Sequence, residues 1–381
     1  MPLAEQGEAS AQFLLGLRYQ DGQGVSQDVN EAVTWYRRAS EQGYAPAQNN
    51  LGLMYFNGQG VPQDEVEAAK WYRLAADQGF ADAQNNLAVM YLFGQGMLQD
   101  LQEARTLLTL AAEQGHAKAQ YLLGSMYYDG VGVAQDYVEA AHWRRQSARQ
   151  GYARAQFTLS AMYTKGQGVS QDDDDAAKWC ELAAEQGYAA AQNNIGLLYL
   201  EGRGVIQNDQ EAAKWLQLAA DQSIAEAQFT LGWMHYKGRG VAQDFAEAAK
   251  WFRCAADQGL VQAQTNLGLM YTKGQGVAQD YAEAAKWLRL AADQGRPSAQ
   301  AGLGALYEYG RGVPQDDASA YMWLDLAASQ GQNTAMQHRD TIAKRMSSDQ
   351  LQQAQQLVSQ WSADHEANRQ QFTNAPTVTD E

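Results

Sequence analysis

The sequence predicts an all-α solenoid of nine 36-residue helix-pair repeats closed by a C-terminal capping helix, and three observations predict it. A Gly-x-Gly pair recurs at Gly22/Gly24, Gly58/Gly60, Gly94/Gly96 and Gly130/Gly132, then in register to Gly310/Gly312, each step being 36 residues. Between the pairs, apolar residues fall at helical spacing. An acid couple three residues apart follows many of the pairs, as at Asp28/Glu31, Asp64/Glu67, Asp100/Glu103, Asp136/Glu139, Asp244/Glu247 and Asp280/Glu283. A fixed period held over so many copies is the mark of stacked repeats, in which each unit buries its apolar face only against its neighbours.

Residues 45–79 show how one unit is built. Ala47, Leu51, Met54 and Tyr55 share one face of a first helix, which Gly58-Gln59-Gly60 ends because glycine accepts the left-handed conformation past a C-terminus. Val61 is expected to plug the loop. Asp64 and Glu67 then form a capping box at the start of a second helix, both acids also opposing the positive end of its dipole. Ala68, Trp71 and Ala75 supply the buried stripe, and Gly79 ends the helix. Lys70 stands one turn after Glu67 as a surface pair, repeated at Lys214, Lys250 and Lys286.

One first-helix position is always small: Gly16, Gly52, Ala88, Gly124, Ser160, Gly196, Gly232, Gly268 and Gly304. It is expected to admit the second helix closely, with the repeated tryptophan (Trp35, Trp71, Trp143, Trp179, Trp215, Trp251, Trp287, Trp323) filling the adjacent space. Leu107 replaces the tryptophan in the third repeat and Ser223 the terminal glycine in the sixth, so weaker local packing is expected at both.

The ends differ. Leu3 to Gly7 matches Ala75 to Gly79, so the chain is expected to open in the middle of a unit. The repeats occupy 1–331, and 332–370 hold a partial tenth first helix and a capping helix. That helix starts at Ser347-Ser348-Asp349-Gln350 and runs to about Glu366, with Leu351, Leu357, Val358 and Trp361 against the stack. Residues 371–381 read as a disordered tail.

The motif Ala263, Asn266, Leu267, Gly268, Tyr271, Gly274, Gly276, Val277, Gln279, Asp280, Ala284 and Trp287 resembles the Sel-one-like repeat, a relative of the tetratricopeptide repeat, over about residues 3–331. The resemblance implies a right-handed superhelix whose first helices line a concave face, and adaptor or scaffold roles in protein complexes. The segment Leu351 to Trp361 also resembles the terminal helix of bacterial members.

Composition narrows the function. With 28 basic against 44 acidic residues the formal charge is −16, which disfavours nucleic acid and anionic lipid as partners. Solubility explains such a charge, and a basic partner is the other reading. Cys180 and Cys254 are no disulfide framework; one full repeat apart, they are expected to lie beyond the ~7 Å Cα limit for a bridge and to be free packing thiols. There is no apolar run long enough to span a bilayer, and no secretory leader is visible. Cytoplasmic placement is the default expectation, periplasmic or secreted if a leader has been removed.

Catalytic constellations are not expected. No serine has a lysine three residues on, and no glycine precedes a lysine, so Ser-x-x-Lys and Walker A signatures are missing. His116, His142, His235, His338 and His365 show no metal-ligand spacing, and His235 takes the repeated tyrosine position. Asp172 to Asp175 fall on a helix cap and first turn, not on a calcium loop. Neither metal nor cofactor is expected.

A partner is expected on the first helices. With Ala47, Leu51, Met54 and Tyr55 in the core, the positions of residues 46, 49, 53 and 56 point to the concave side. Down the array these include Asn49, Phe56, Asn85, Tyr121, Tyr128, Phe157, Asn193, Phe229, Trp233 and Tyr236. Rings and amides suit an extended peptide, and Asn50, Asn86, Asn194 and Asn266 are alternatively bridges between repeats. The leading expectation is therefore a non-enzymatic adaptor for another protein or peptide. The alternatives are a periplasmic envelope- or carbohydrate-associated scaffold, and a β-lactamase-like hydrolase of the cysteine-rich repeat type, whose disulfide in every repeat this chain lacks. The oligomeric state is left open.

Overall fold

A computed structural model describes residues 2–373, with side chains from Leu3 to Glu366. Among the described residues all regular structure is helical. The first helices are Ala9–Asp21, Ala45–Asn57, Ala81–Phe93, Ala117–Asp129, Ala153–Lys165, Ala189–Glu201, Ala225–Lys237, Val261–Lys273 and Pro297–Tyr309. Their second helices are Val29–Glu41, Glu65–Ala76, Leu101–Glu113, Tyr137–Arg149, Asp173–Glu185, Asp209–Asp221, Phe245–Asp257, Tyr281–Asp293 and Asp317–Ser329. The chain is an all-α solenoid of nine helix pairs. It divides into two compact units, one running to Ala191 and taking in Arg203–Val205, the other taking Gln192–Gly202 and everything from Ile206 on.

Within a pair, the loop sequence Gly-x-Gly-Val-x-Gln-Asp is explained residue by residue. In the first unit Gln135 Nε2 donates to the Tyr128 carbonyl at the end of the first helix, 2.8 Å. In the second, Gln243 does the same to Tyr236, 3.0 Å. The aspartate then caps the next helix: Asp136 accepts from the N–H groups of Val138 and Glu139, and Asp244 from those of Ala246 and Glu247. The glutamate of the expected box turns outward instead, and Glu67 and Glu247 pair with Lys70 and Lys250 at 2.7 and 2.9 Å. A fully reciprocal box forms at the last helix, where Ser347 N–H donates to Gln350 Oε1 and Gln350 N–H to Ser347 Oγ.

The space under the small first-helix residue is filled by the residue after the tryptophan, which corrects the expectation. A Cβ on Gly52 would lie 2.9 Å from the Tyr72 ring, and one on Gly232 2.9 Å from the Phe252 ring. The tryptophan points one side chain further round the helix and packs on the preceding repeat. Trp71 joins the cluster of Ala32, Val33 and Tyr36, and Trp287 joins that of Phe252 and Leu267. It thus forms the seam between repeats, not the fill within one.

A ladder of glutamine side chains runs through each unit, and the sequence reading passed over it. In the first, Gln78 donates to Gln48 at 2.7 Å, Gln114 to Gln84 at 2.8 Å and Gln150 to Gln120 at 2.8 Å. In the second, Gln258 donates to Gln228 at 2.8 Å and Gln294 to Gln264 at 3.0 Å. Each accepting glutamine is buried and gives its own Nε2 to a carbonyl at the end of the preceding second helix, as Gln120 does to Ala112, 3.0 Å. Each of these carbonyls lies in the last turn of its helix and also accepts a backbone N–H, as Ala112 does from Gly115 at 3.0 Å, so the glutamine supplies a second donor. At the start of the chain Gln12 makes the same bond to Ala4, 3.2 Å, so Pro2–Glu5 serves as the end of a second helix.

The C-terminal cover is Asn333–Ala343 followed by Ser348–Thr373. Leu357, Val358 and Trp361 pack on the cluster of Leu288, Leu303 and Trp323. The helix passes the end expected near Glu366; of the tail read at 371–381, residues 374–381 lie outside the described residues. Cys180 and Cys254 form no disulfide, and Cys180 is buried.

Among the described residues Ser223 is the non-glycine residue with a left-handed backbone, φ 65°, at the place where other repeats carry glycine. A Cβ in that region costs about 1–2 kcal/mol. Ser223→Gly is therefore expected to raise stability by about 1 kcal/mol, seen as a higher urea midpoint. An unchanged or lower midpoint would show that the serine side chain compensates the strain.

Candidate peptide-binding cleft

The same cleft opens in both units, at the same place in the repeat. In the second unit it has about 220 Å³ and lies between the first helices Ala225–Lys237 and Val261–Lys273. Trp233, Tyr236 and Leu269 wall it, Phe252 and Met270 floor it, and Asn266, Gln275, Lys237 and Lys273 supply its polar rim. In the first unit a cleft of about 180 Å³ is lined by Leu53, Phe56, Tyr72, Asn86, Val89 and Met90, with Asn57 and Lys118. Leu53 and Trp233, Phe56 and Tyr236, Tyr72 and Phe252, and Asn86 and Asn266 are equivalent positions five repeats apart.

The expected face residues divide by what surrounds them. Phe56, Trp233 and Tyr236 line the clefts. Asn49 and Asn85 do not present free amides: they are 7% and 2% exposed, and Asn86 Nδ2 donates to Asn49 Oδ1 at 3.0 Å. The alternative of asparagines bridging repeats holds there. Asn193 is half-buried, its Oδ1 enclosed without a partner. Tyr121 and Phe157 pack against Tyr152 and Tyr188, with ring centroids 5.4 and 5.3 Å apart. Phe229 packs on Phe252 at 5.6 Å. Tyr128 donates its hydroxyl to Gln167 Oε1, 2.8 Å, and meets the edge of Tyr137.

The second-unit cleft keeps its polar groups available. Asn266 sits where Asn86 does, but the residue that would engage it is Phe229 instead of an asparagine. The half-buried Asn266 amide accordingly makes no hydrogen bond among the described residues. Tyr236 gives its hydroxyl to Gln275 Oε1 at 3.2 Å, which orients the Gln275 NH₂ for another acceptor. Lys237 lies 5.5 Å from the Tyr236 ring centroid, and the exposed Lys273 stands on the opposite wall. Rings therefore flank an amide with donor and acceptor, between two cations. Sequence reasoning put the position of Leu269 on the concave side and offered Asn266 as a bridge between repeats, but missed Phe252, Gln275 and the lysines because a cleft between repeats draws one wall from the next first helix. The exchange of asparagine for phenylalanine at residue 229 was the legible signal.

His235, in the tyrosine position, is half-buried with its Nδ1 enclosed and unpaired. Other repeats engage that tyrosine with an arginine of the preceding second helix, as Arg37 does Tyr55 at 2.7 Å. In this repeat the arginine position is Gln217, which donates to Asp221 instead. Among the described residues no three or more His, Cys, Asp or Glu side chains group to hold a metal ion. No helix among them is long and apolar enough to cross a membrane.

Antiparallel helix pairs in tandem, with a ridged cleft between successive first helices, define a helical-repeat protein. The Sel1 repeat model matches residues 9–44, 45–80, 81–116, 117–152, 153–188, 189–224, 225–260, 261–295 and 297–332, and the chain belongs to that family. It is similar to a Sel1 repeat protein from Oxalobacter formigenes, at 34% identity over 81% of this chain and 89% of that one, TM-score 0.60. It is also similar to a protective antigen of uropathogenic Escherichia coli described as displaying an SLR fold, at 33% identity over 100% of this chain and 98% of that one, TM-score 0.54. No curated protein matches the chain.

Proposed function

We propose that the protein is a non-enzymatic scaffold whose first-helix clefts hold an extended segment of a partner protein. The observation that carries this is the unengaged Asn266 amide between Trp233, Tyr236 and Leu269. An extended backbone offers one donor and one acceptor per residue, which a side-chain amide matches, while the rings bury area at little entropy cost. Lys237 and Lys273 favour carbonyl oxygens and acidic side chains over a basic segment at this cleft.

The test is a photo-crosslinking residue placed at Leu269, with one at the exposed Leu218 of a second helix as control. A partner crosslinked from Leu269 and not from Leu218 is the expected result. Trp233→Ala and Tyr236→Ala should each weaken that partner's binding by about 2 kcal/mol, as truncation of a buried aromatic anchor does. Asn266→Ala should weaken it by about 1 kcal/mol. Equal crosslinking from both positions, or undiminished affinity in the aromatic variants, would remove the reading.

A further inference from the structure

The second-helix residue that fills the space under the small first-helix position is Tyr36, Tyr72, Leu108, Arg144 and Cys180 in the first unit. One of the five is charged. Arg144 is 6% exposed, and its Cγ lies 3.0 Å from where a Cβ on Gly124 would stand. Its Nε is enclosed without a hydrogen-bond partner, and among the described residues no carboxylate forms an ion pair with it. What faces the guanidinium is a ring: Cζ lies 4.2 Å from the Tyr128 centroid. Burial holds its pKa below the usual arginine range, offset only in part by the exposed Asp129. A buried cation without a counter-ion is costly, and packing does not require one, since Leu216 and Leu288 fill the same place in the second unit.

The equivalents of Arg144, Tyr72 and Phe252, floor the two clefts, so its side chain stands where a cleft floor stands. The walls beside it are small, with Ser125, Thr158 and Ala161 in place of Trp233, Asn266 and Leu269. Around it, a chain of net charge −16 carries two exposed cations on the next first helix: Lys165, at the position of Lys273, and Arg154, 5.8 Å from the Tyr121 centroid.

We propose that Arg144 anchors a carboxylate site that takes an acidic side chain from an extended segment of a partner protein. The face of the guanidinium stacks on Tyr128 while its terminal N–H groups meet the carboxylate in the bidentate fork that arginine forms with planar anions. Arg154 and Lys165 supply the surrounding positive field. This rests on the segment-binding reading of the clefts and names the chemistry of the segment at the fourth repeat.

The experiment uses the purified full chain and two degenerate nonapeptide pools, amidated at the C-terminus, one with a fixed central Glu and one with a central Gln. Wild type is expected to retain the Glu pool about tenfold better than the Gln pool, as loss of a charge-assisted hydrogen bond predicts. Arg144→Leu, which puts in the residue found at the equivalent positions, should keep or raise the Tm and retain both pools equally; Arg144→Lys should keep part of the preference. Equal retention of the pools by wild type, or a Glu preference that survives in Arg144→Leu, would overturn the site while leaving segment binding standing. Retention of neither pool would overturn both.

Discussion

Gly276→Ala is expected to destabilise the protein by about 3 kcal/mol or more, combining left-handed backbone strain of about 1–2 kcal/mol with overpacking of about 1–3 kcal/mol. Gly276 has φ +69°, and a Cβ there would stand 2.0 Å from the Phe245 carbonyl oxygen, 2.1 Å from its carbon and 2.6 Å from Ala246 N. All three are backbone atoms at the start of a helix, so no side chain can rotate away. The turn of one repeat rests directly on the N-terminus of the preceding second helix, and relief would require the two to separate. Gly259 is the control. Its φ is +89°, but a Cβ there meets nothing within 4 Å. Gly259→Ala should therefore lose only the conformational part, about 1–2 kcal/mol. Urea unfolding of both variants reads the difference, and equal losses would show that close approach between repeats contributes nothing at Gly276.

The second large effect is at the Gly232–Phe252 contact. Phe252 is 1% exposed and fills the space beneath Gly232. Phe252→Ala is expected to cost about 3–5 kcal/mol through lost burial and the cavity left behind. Gly232→Ala drives a methyl group to 2.9 Å from the Phe252 ring and should cost about 1–3 kcal/mol. The third repeat shows the compensated version, with Ala88 and the shorter Leu108 buried in one cluster. Gly232→Ala combined with Phe252→Leu copies that couple, so the double variant should be more stable than the sum of the singles by about 1 kcal/mol. Simple additivity in the cycle would mean that the two positions do not fit each other by volume. The same series bears on function, because Phe252 floors the cleft: Phe252→Leu alone leaves a wider floor beneath Trp233 and Tyr236.

The glycine pairs and the acid that follows them marked where first helices end and second helices begin to within a residue or two, because those helix ends are decided locally. A left-handed residue ends one helix and an Asp or Asn side chain starts the next, as Gly130 and Asp136 do. The Lys–Glu pairs one turn apart and the cap at Asp172 were legible for the same reason. Tryptophan was harder. Its recurrence at a fixed position showed that it is structural, but adjacent helix positions differ by about 100° in direction, and only packing tells which of Trp251 and Phe252 turns under Gly232. The glutamine ladder was hidden because Gln48 and Gln78 look like ordinary surface residues until two successive helices bring their amides together.

What the sequence determined alone is the set of properties carried by single residues and their spacing: helix ends, caps, the repeat period and the all-α architecture. Tertiary structure decided the properties that need two helices at once. It engaged Asn86 with Asn49 and left Asn266 unengaged beside Phe229, and it placed Arg144 in the first unit's core without a counter-ion. The reason is physical. A helix end is settled by dihedral angles and hydrogen bonds within a few residues, whereas the availability of an amide or a charge depends on which neighbour the packing brings to it.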